Sequence, residues 1–268
     1  RGERGGWSGL MGAGHASGAA HRLYVPGASV VHRLPPQCKL VAVLAFVLLV
    51  VATPRERMWA FGVYALLLAG VAAAARIPFG TVARRVVIEV PFVAFAFLLP
   101  FVATGEKTTV LGVGLSESGL WGAWNILAKG TLGVVASILL AATTEPRLLL
   151  LGIERLRMPQ LITQIATFML RYGDVVTAEL ARMKVARASR GFEGRDLRAT
   201  RVLAKSIGAL FLRSYERGER VHLAMLSRGY DGRMPVMHDV GATAAQWTAA
   251  AALPLAAALV TLAAWMTP

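Results

Sequence analysis

Four stretches of 18 or more residues run almost without charge: 58–75, 86–103, 120–143 and 242–266. Only Glu89 and Lys129 interrupt them. A soluble helix keeps one polar face, and these stretches keep none. At 1.5 Å per residue about 20 residues bridge a hydrocarbon core of ~30 Å, so each stretch is a candidate membrane span. A fifth run, 40–52, has 13 residues, about 20 Å of helix. It reaches further if the helix begins near Pro36 and Lys39 snorkels to the interface. The polar turn Pro54-Arg55-Glu56-Arg57 separates the first two spans, and Trp247 and Trp265 flank the last as interfacial anchors. The pattern predicts an all-α polytopic membrane protein with about five transmembrane helices.

The same chain is strongly basic, with a formal net charge of +14 beside 56% hydrophobic residues. Such a balance fits a membrane protein with basic loops, or a nucleic-acid binder with a large apolar core. The four uncharged runs argue against the second, and no nucleic acid is expected as a partner. Charge placement orients the first. Loop 53–57 has two arginines and one glutamate, and loop 104–118 one lysine and two glutamates; loop 76–85 has three arginines and no acid. Residues 171–233 hold 14 Lys/Arg against seven Asp/Glu, a net +7. Basic loops face the cytoplasm, which puts the N-terminus, loop 76–85 and region 144–239 inside and the C-terminus outside, in a multi-pass cell (inner or plasma) membrane protein. The expected organisation is a leader over 1–35, helices 1–4 over 36–143, a cytoplasmic coupling domain over 144–239 and a last span over 240–268. Residues 2–18 are rich in Gly, Ala and Ser without an apolar core, which reads as a disordered leader and not a signal peptide. The single cysteine, Cys38, rules out an internal disulfide and a cysteine metal cluster.

Region 144–239 is expected to hold a short helix over 145–157, ended by Pro159, and two long amphipathic ones. Ile165, Met169, Tyr172, Val176, Leu180 and Met183 make one helical stripe over 160–190. Leu203, Ile207, Leu210, Phe211, Val221 and Met225 make another over 196–228, where the small Ser214 and Gly218 would let a second helix cross closely. Charges along both exclude them as spans.

Each long helix closes on the same phrase. Ala186-Arg187-Ala188-Ser189-Arg190-Gly191-Phe192-Glu193-Gly194-Arg195 returns as Ala224-Met225-Leu226-Ser227-Arg228-Gly229-Tyr230-Asp231-Gly232-Arg233, with six identities and two conservative swaps in ten positions. Glycine after the arginine suits a helix stop, because it accepts the left-handed conformation. Arg190 and Arg228 then fall in the last turn, where a cation suits the helix dipole. From a rod end a guanidinium can enter a partner's groove and grip a carboxylate at two points, with Phe192 or Tyr230 packing beside it. One copy alone would pass for a simple cap; two copies point to one task performed at two places.

Those two ends, with Ile153-Glu154-Arg155-Leu156-Arg157-Met158-Pro159 and Phe168-Met169-Leu170-Arg171-Tyr172, resemble the T component of energy-coupling-factor (ECF) transporters, the CbiQ/EcfT family. His32-Arg33-Leu34-Pro35-Pro36-Gln37-Cys38-Lys39-Leu40 is similar to its cobalt-type members. The resemblance implies a non-catalytic membrane scaffold joining a substrate-capturing S component to two cytoplasmic ABC-type ATPases. By resemblance Ser189, Arg190, Gly191 and Ser227, Arg228, Gly229 dock the ATPases, with Phe192 and Tyr230 in support. Cobalt is the implied substrate, with nickel or a vitamin such as biotin next. ATP and Mg would be bound by the ATPases and no cofactor by this chain. The family pattern often has Ala-Arg-Gly where both copies here have serine.

Other features carry less. Glu89 and Lys129 are charges within spans, a default functional signal in membranes; the plainer expectation is that Glu89 faces polar neighbours and Lys129 snorkels or faces a subunit cavity. His15, His21, His32, His222 and His238 show no metal-ligand spacing. No G-x-x-x-x-G-K-[ST] phosphate loop occurs, so ATP chemistry must come from another chain. A stand-alone permease would need more polar groups within its spans than Glu89, Asn125, Lys129 and Gln246. A scaffold holding anionic lipid through its basic region would tolerate lysine in place of Arg190 or Arg228.

Overall fold

A computed structural model of the chain describes residues 24–102, 107–110, 113–192, 197–232 and 241–267. They divide into two compact units, Leu23–Arg157 with Val240–Pro268, and Met158–Asp239. The start of the expected leader, residues 1–23, lies outside the described residues, as do His15, His21 and His238.

In chain order the first unit contains α1 (Val30–Arg33), α2 (Pro36–Ala52), α3 (Met58–Ala74), α4 (Phe79–Val86), a 3-10 turn (Val87–Glu89) and α5 (Val90–Val102). An antiparallel pair follows, β1 (Lys107–Val110) and β2 (Val113–Ser116), in register Lys107 to Ser116, then α6 (Glu117–Thr143) and α7 (Pro146–Arg155). The second unit contains α8 (Gln160–Ala188) and α9 (Leu197–Leu226); α10 (Ala244–Met266) returns to the first. The architecture is helical, and the pair of strands lies where the sequence suggests only a polar loop.

Helix starts follow from local chemistry. Pro36 and Pro146 open α2 and α7, where a fixed helical φ is preset and the missing N–H has no partner to lose. Thr243 and Gln246 exchange bonds in a capping box before α10. α6 and α10 are long and apolar enough to cross a membrane, whereas α2, α3 and Val90–Pro100 are apolar but shorter.

Packing in this unit inverts that of a soluble protein. The buried helix positions include many alanines, among them Ala42, Ala60, Ala72, Ala136 and Ala257. Leu44, Leu66, Phe97 and Leu259 face outward, each more than half exposed. Small residues inside and large apolar ones outside are what helix association in lipid favours. Polar pins fix the arrangement. The Tyr64 hydroxyl stands 2.8 Å from Thr53 Oγ1 on α2's last turn and 2.8 Å from Thr261 Oγ1 on α10, and all three residues are buried. At one end of α2, buried Lys39 donates to His32 O, Thr143 O and Thr144 Oγ1. At the other, Lys129 donates to Val51 O, Trp265 Nε1 to Ala52 O and Arg57 to Thr267 O.

The third expected span, 86–103, is not one helix. It starts as α4, passes through the 3-10 turn and resumes as α5. Pro91 is the cause: it cannot donate to the Val87 carbonyl, and its ring crowds that carbonyl. Glu89 stands at the break, 3% exposed, and accepts from Thr131 Oγ1 at 2.9 Å. Lys129 reaches the α2 terminus instead, so the two charges do not pair.

Candidate functional site

The second unit carries both motif copies, and its two helices end in matching sets of backbone bonds. At the end of α8, Gly191 N donates to Ala188 O at 3.0 Å and Phe192 N to Arg187 O at 3.1 Å. At the end of α9, Gly229 N donates to Leu226 O at 3.0 Å and Tyr230 N to Met225 O at 3.0 Å. This pairing closes a helix C-terminus through a left-handed residue. Gly191 and Gly229 supply it, with φ of 72° and 82°. A side chain with a Cβ is strained at such angles, so the glycine is dictated by the turn. Arg190 and Arg228 directly precede these glycines and are exposed.

The serines before the two arginines are accommodated identically. Ser189 Oγ donates to Ala186 O at 3.1 Å and Ser227 Oγ to Ala224 O at 3.0 Å. Each hydroxyl folds back on its own last turn and leaves the arginine beside it unhindered. Phe192 and Tyr230 are partly buried at the turn. Tyr230 Oη donates to Gln164 Oε1 at 2.9 Å, and Gln164 Nε2 to Gly232 O at 3.1 Å. Gln164 is a residue that the sequence pattern does not mark.

A groove of about 770 Å3 opens beside the second end, walled by Phe168, Arg171, Tyr172, Met225 and Arg228. Phe168 and Tyr172 stack with ring centroids 6.2 Å apart, and the Arg171 guanidinium carbon lies 5.9 Å from the Tyr172 centroid. Thus the Phe168–Tyr172 phrase and the second arginine, far apart in sequence, share one surface. The apolar stripes leave much of themselves uncovered: Ile165, Met169, Ile207 and Phe211 are each more than half exposed. Ser214 and Gly218 line a cleft of about 550 Å3 between α8 and α9, and nothing lies within 4 Å of a Cβ placed on Gly218. Neither helix of this unit makes the close crossing there, and one side-chain bridge reaches across from α8 to α9.

That bridge is made by Glu179 of α8, whose carboxylate accepts from Arg182 at 2.5 Å and from Arg213 of α9 at 2.6 Å. Those two bonds, Arg182's first, hold the Glu179 carboxyl below the usual glutamate range. A carboxyl with a lowered native pKa stabilises fully above its unfolded value, about 4.3, and loses that contribution as pH falls through the lowered one. Acidification below about pH 4 is therefore expected to lower amide protection along α8 and α9 in the wild type, with each rate taken relative to the intrinsic rate at that pH. Glu179→Gln should exchange faster already at neutral pH and respond less to acid; an unchanged acid response would remove this bridge from the account.

The remaining candidates are structural. His32 uses both ring nitrogens, Nδ1 with Ser29 Oγ at 2.7 Å and Nε2 with Val25 O at 3.1 Å. A carbonyl can only accept, so Nε2 carries a proton. Among the described residues no group of three or more His, Cys, Asp or Glu is placed to hold a metal.

Comparison with known proteins decides the lineage. The model of the family CbiQ, cobalt transport protein, matches residues 27–238, a span that includes both arginine ends. The chain belongs to the CbiQ/EcfT family. A relative in Bacillus subtilis (strain 168), the energy-coupling factor transporter transmembrane protein EcfT, is 28% identical over 226 residues, covering 78% of this chain and 83% of that protein. The cobalt transport protein CbiQ of Rhodobacter capsulatus is 28% identical over 144 residues, 52% of this chain and 59% of its own. Membership in CbiQ/EcfT, with outward-facing apolar helices, makes this chain a membrane protein and the transmembrane component of an ECF transporter.

Proposed function

We propose that this chain is the coupling subunit of an ATP-driven importer, in which each arginine end docks one of two cytoplasmic ABC-type ATPases. The observation that carries the reading is the pair of exposed arginines on bond-for-bond equivalent helix ends. Equivalent ends suit two copies of one kind of partner, and helices of about 45 Å are stiff enough to transmit its closure. ATP and Mg belong to those subunits, and the chain itself catalyses nothing. A membrane S component captures the substrate. Cobalt is the substrate favoured by the family's description, ahead of nickel or a vitamin such as biotin.

In this reading α2, α3, the α4–α5 segment, α6 and α10 cross the membrane, with region 144–239 in the cytoplasm and the C-terminus outside. The loop charges support that orientation, and the contacts of Arg57, Lys129 and Trp265 at one end of the first unit and of Lys39 with Thr143 at the other suit the two ends of a spanning bundle. The test exploits the guanidinium fork. Arg190→Lys with Arg228→Lys keeps both charges but cannot form two parallel bonds to a carboxylate. Co-purification with the host's ATPases in detergent is expected to fall at least tenfold, in line with loss of about 1.4 kcal/mol or more. Full retention by the lysine variant, combined with release by salt, would favour simple charge attraction to an anionic surface and sink the docking reading.

A further inference from the structure

At the position after the capping glycine the two arginine ends differ by one hydroxyl. Tyr230 carries it, and Phe192 at the matching position does not. The hydroxyl is engaged by Gln164, which accepts from Tyr230 and donates to Gly232 O. The Gly232 carbonyl can only accept, so the Gln164 amide nitrogen must face it, leaving the side-chain oxygen for the phenol. Both functions of one amide are thus used on a single loop. Gln164 is 9% exposed, a setting in which leaving a polar partner unmatched is costly. The loop reverses at two glycines, Gly229 and Gly232, with φ of 82° and 95°. Between them Tyr230 is held against α8, and Arg228 sits immediately before the first reversal.

We propose that Gln164 is the positioning residue of the second docking end, and that its brace tightens the grip of that end. The proposal rests on the docking function proposed above. An arginine carried on a turn fixed to a neighbouring helix loses less freedom when it binds, so more of its interaction survives as affinity. The groove walled by Phe168, Tyr172 and Arg171 lies beside the same turn, so the brace also fixes the distance between knob and groove. Gln164 need not touch the partner for any of this.

The experiment measures ATPase affinity with one end at a time. Arg190→Ala leaves only the second end and Arg228→Ala only the first. In the Arg190→Ala background, Tyr230→Phe and Gln164→Leu are each expected to weaken binding about 3- to 10-fold, the scale of one net hydrogen bond. Together they should cost little more than Gln164→Leu alone, because they remove the same brace. In the Arg228→Ala background neither change should alter affinity. Equal weakening in both backgrounds would mean that the helix pair had loosened as a whole, and would overturn the proposal; so would no weakening in the Arg190→Ala background. ATPase retained by Arg190→Ala/Arg228→Ala would overturn the docking function itself, and the brace with it.

Discussion

Arg190→Ala combined with Arg228→Ala is expected to release both ATPase subunits while the membrane protein stays folded. Breaking a buried, hydrogen-bonded charge pair at an interface costs about 2–5 kcal/mol, which is about 30-fold to several thousand-fold in affinity per end. In the proposed arrangement each end holds its own ATPase. Single variants should therefore lose part of the complex and the double variant nearly all of it. The fold has little reason to suffer. The bonds that close each helix run between main-chain groups of residues 187–192 and 225–230 and do not use the guanidiniums. Alanine is also a better helix former than arginine by a few tenths of a kcal/mol. Size-exclusion profile and circular dichroism of the double variant should match wild type, while its ATPase band disappears. A double variant that keeps its ATPases would leave the repeated motif as a helix stop and nothing more.

How much of this could be read in the sequence depends on the range of the interactions. Run lengths located α2, α6 and α10 closely, and Pro36 marked the start of α2 because a proline acts within one turn. Within the third expected span the break went unseen: hydropathy registers Pro91 as one more apolar residue and is blind to the missing N–H that divides α4 from α5. The arginine ends were legible because repetition makes a signal that one copy lacks. The brace was not. Gln164 meets Tyr230 across 66 residues, and a lone glutamine near a helix start has no spacing to reveal it. Its one trace is the exchange of Phe192 for Tyr230, which looks conservative by size and hydrophobicity. The structure makes that exchange the difference between an apolar ring and a ring with a partner. Ser214 and Gly218 show the converse: small residues at helical spacing permit a close crossing, but permission is not contact, and a cleft remains between α8 and α9.

Gly152→Leu is expected to cost about 3 kcal/mol or more, a loss that a membrane protein in detergent tolerates poorly. α7 crosses the start of α2 at this glycine. A Cβ built there would lie 3.0 Å from Gln37 N, 3.1 Å from the Pro36 carbonyl carbon and 3.1 Å from Leu40 Cδ1. Two of the three obstacles are main-chain atoms of a helix start fixed by proline, so they cannot swing aside as a side-chain tip would. Alanine at 152 recovers about 0.5–1 kcal/mol of helix propensity but must force the helices apart by a few tenths of an ångström. Leucine adds three more carbons to the same clash. Gly70, in α3, is the control, since nothing lies within 4 Å of a Cβ at that position. Gly70→Ala should be neutral or gain up to about 1 kcal/mol. Thermal unfolding in detergent, followed by fluorescence size-exclusion, separates the two: Gly152→Leu should lose its monodisperse peak at temperatures where Gly70→Ala and wild type keep theirs. A Gly152→Leu protein as heat-stable as wild type would show that α7 can lift from α2 without consequence. In that event the close approach of α7 to the start of α2 would contribute nothing to the stability of the first unit.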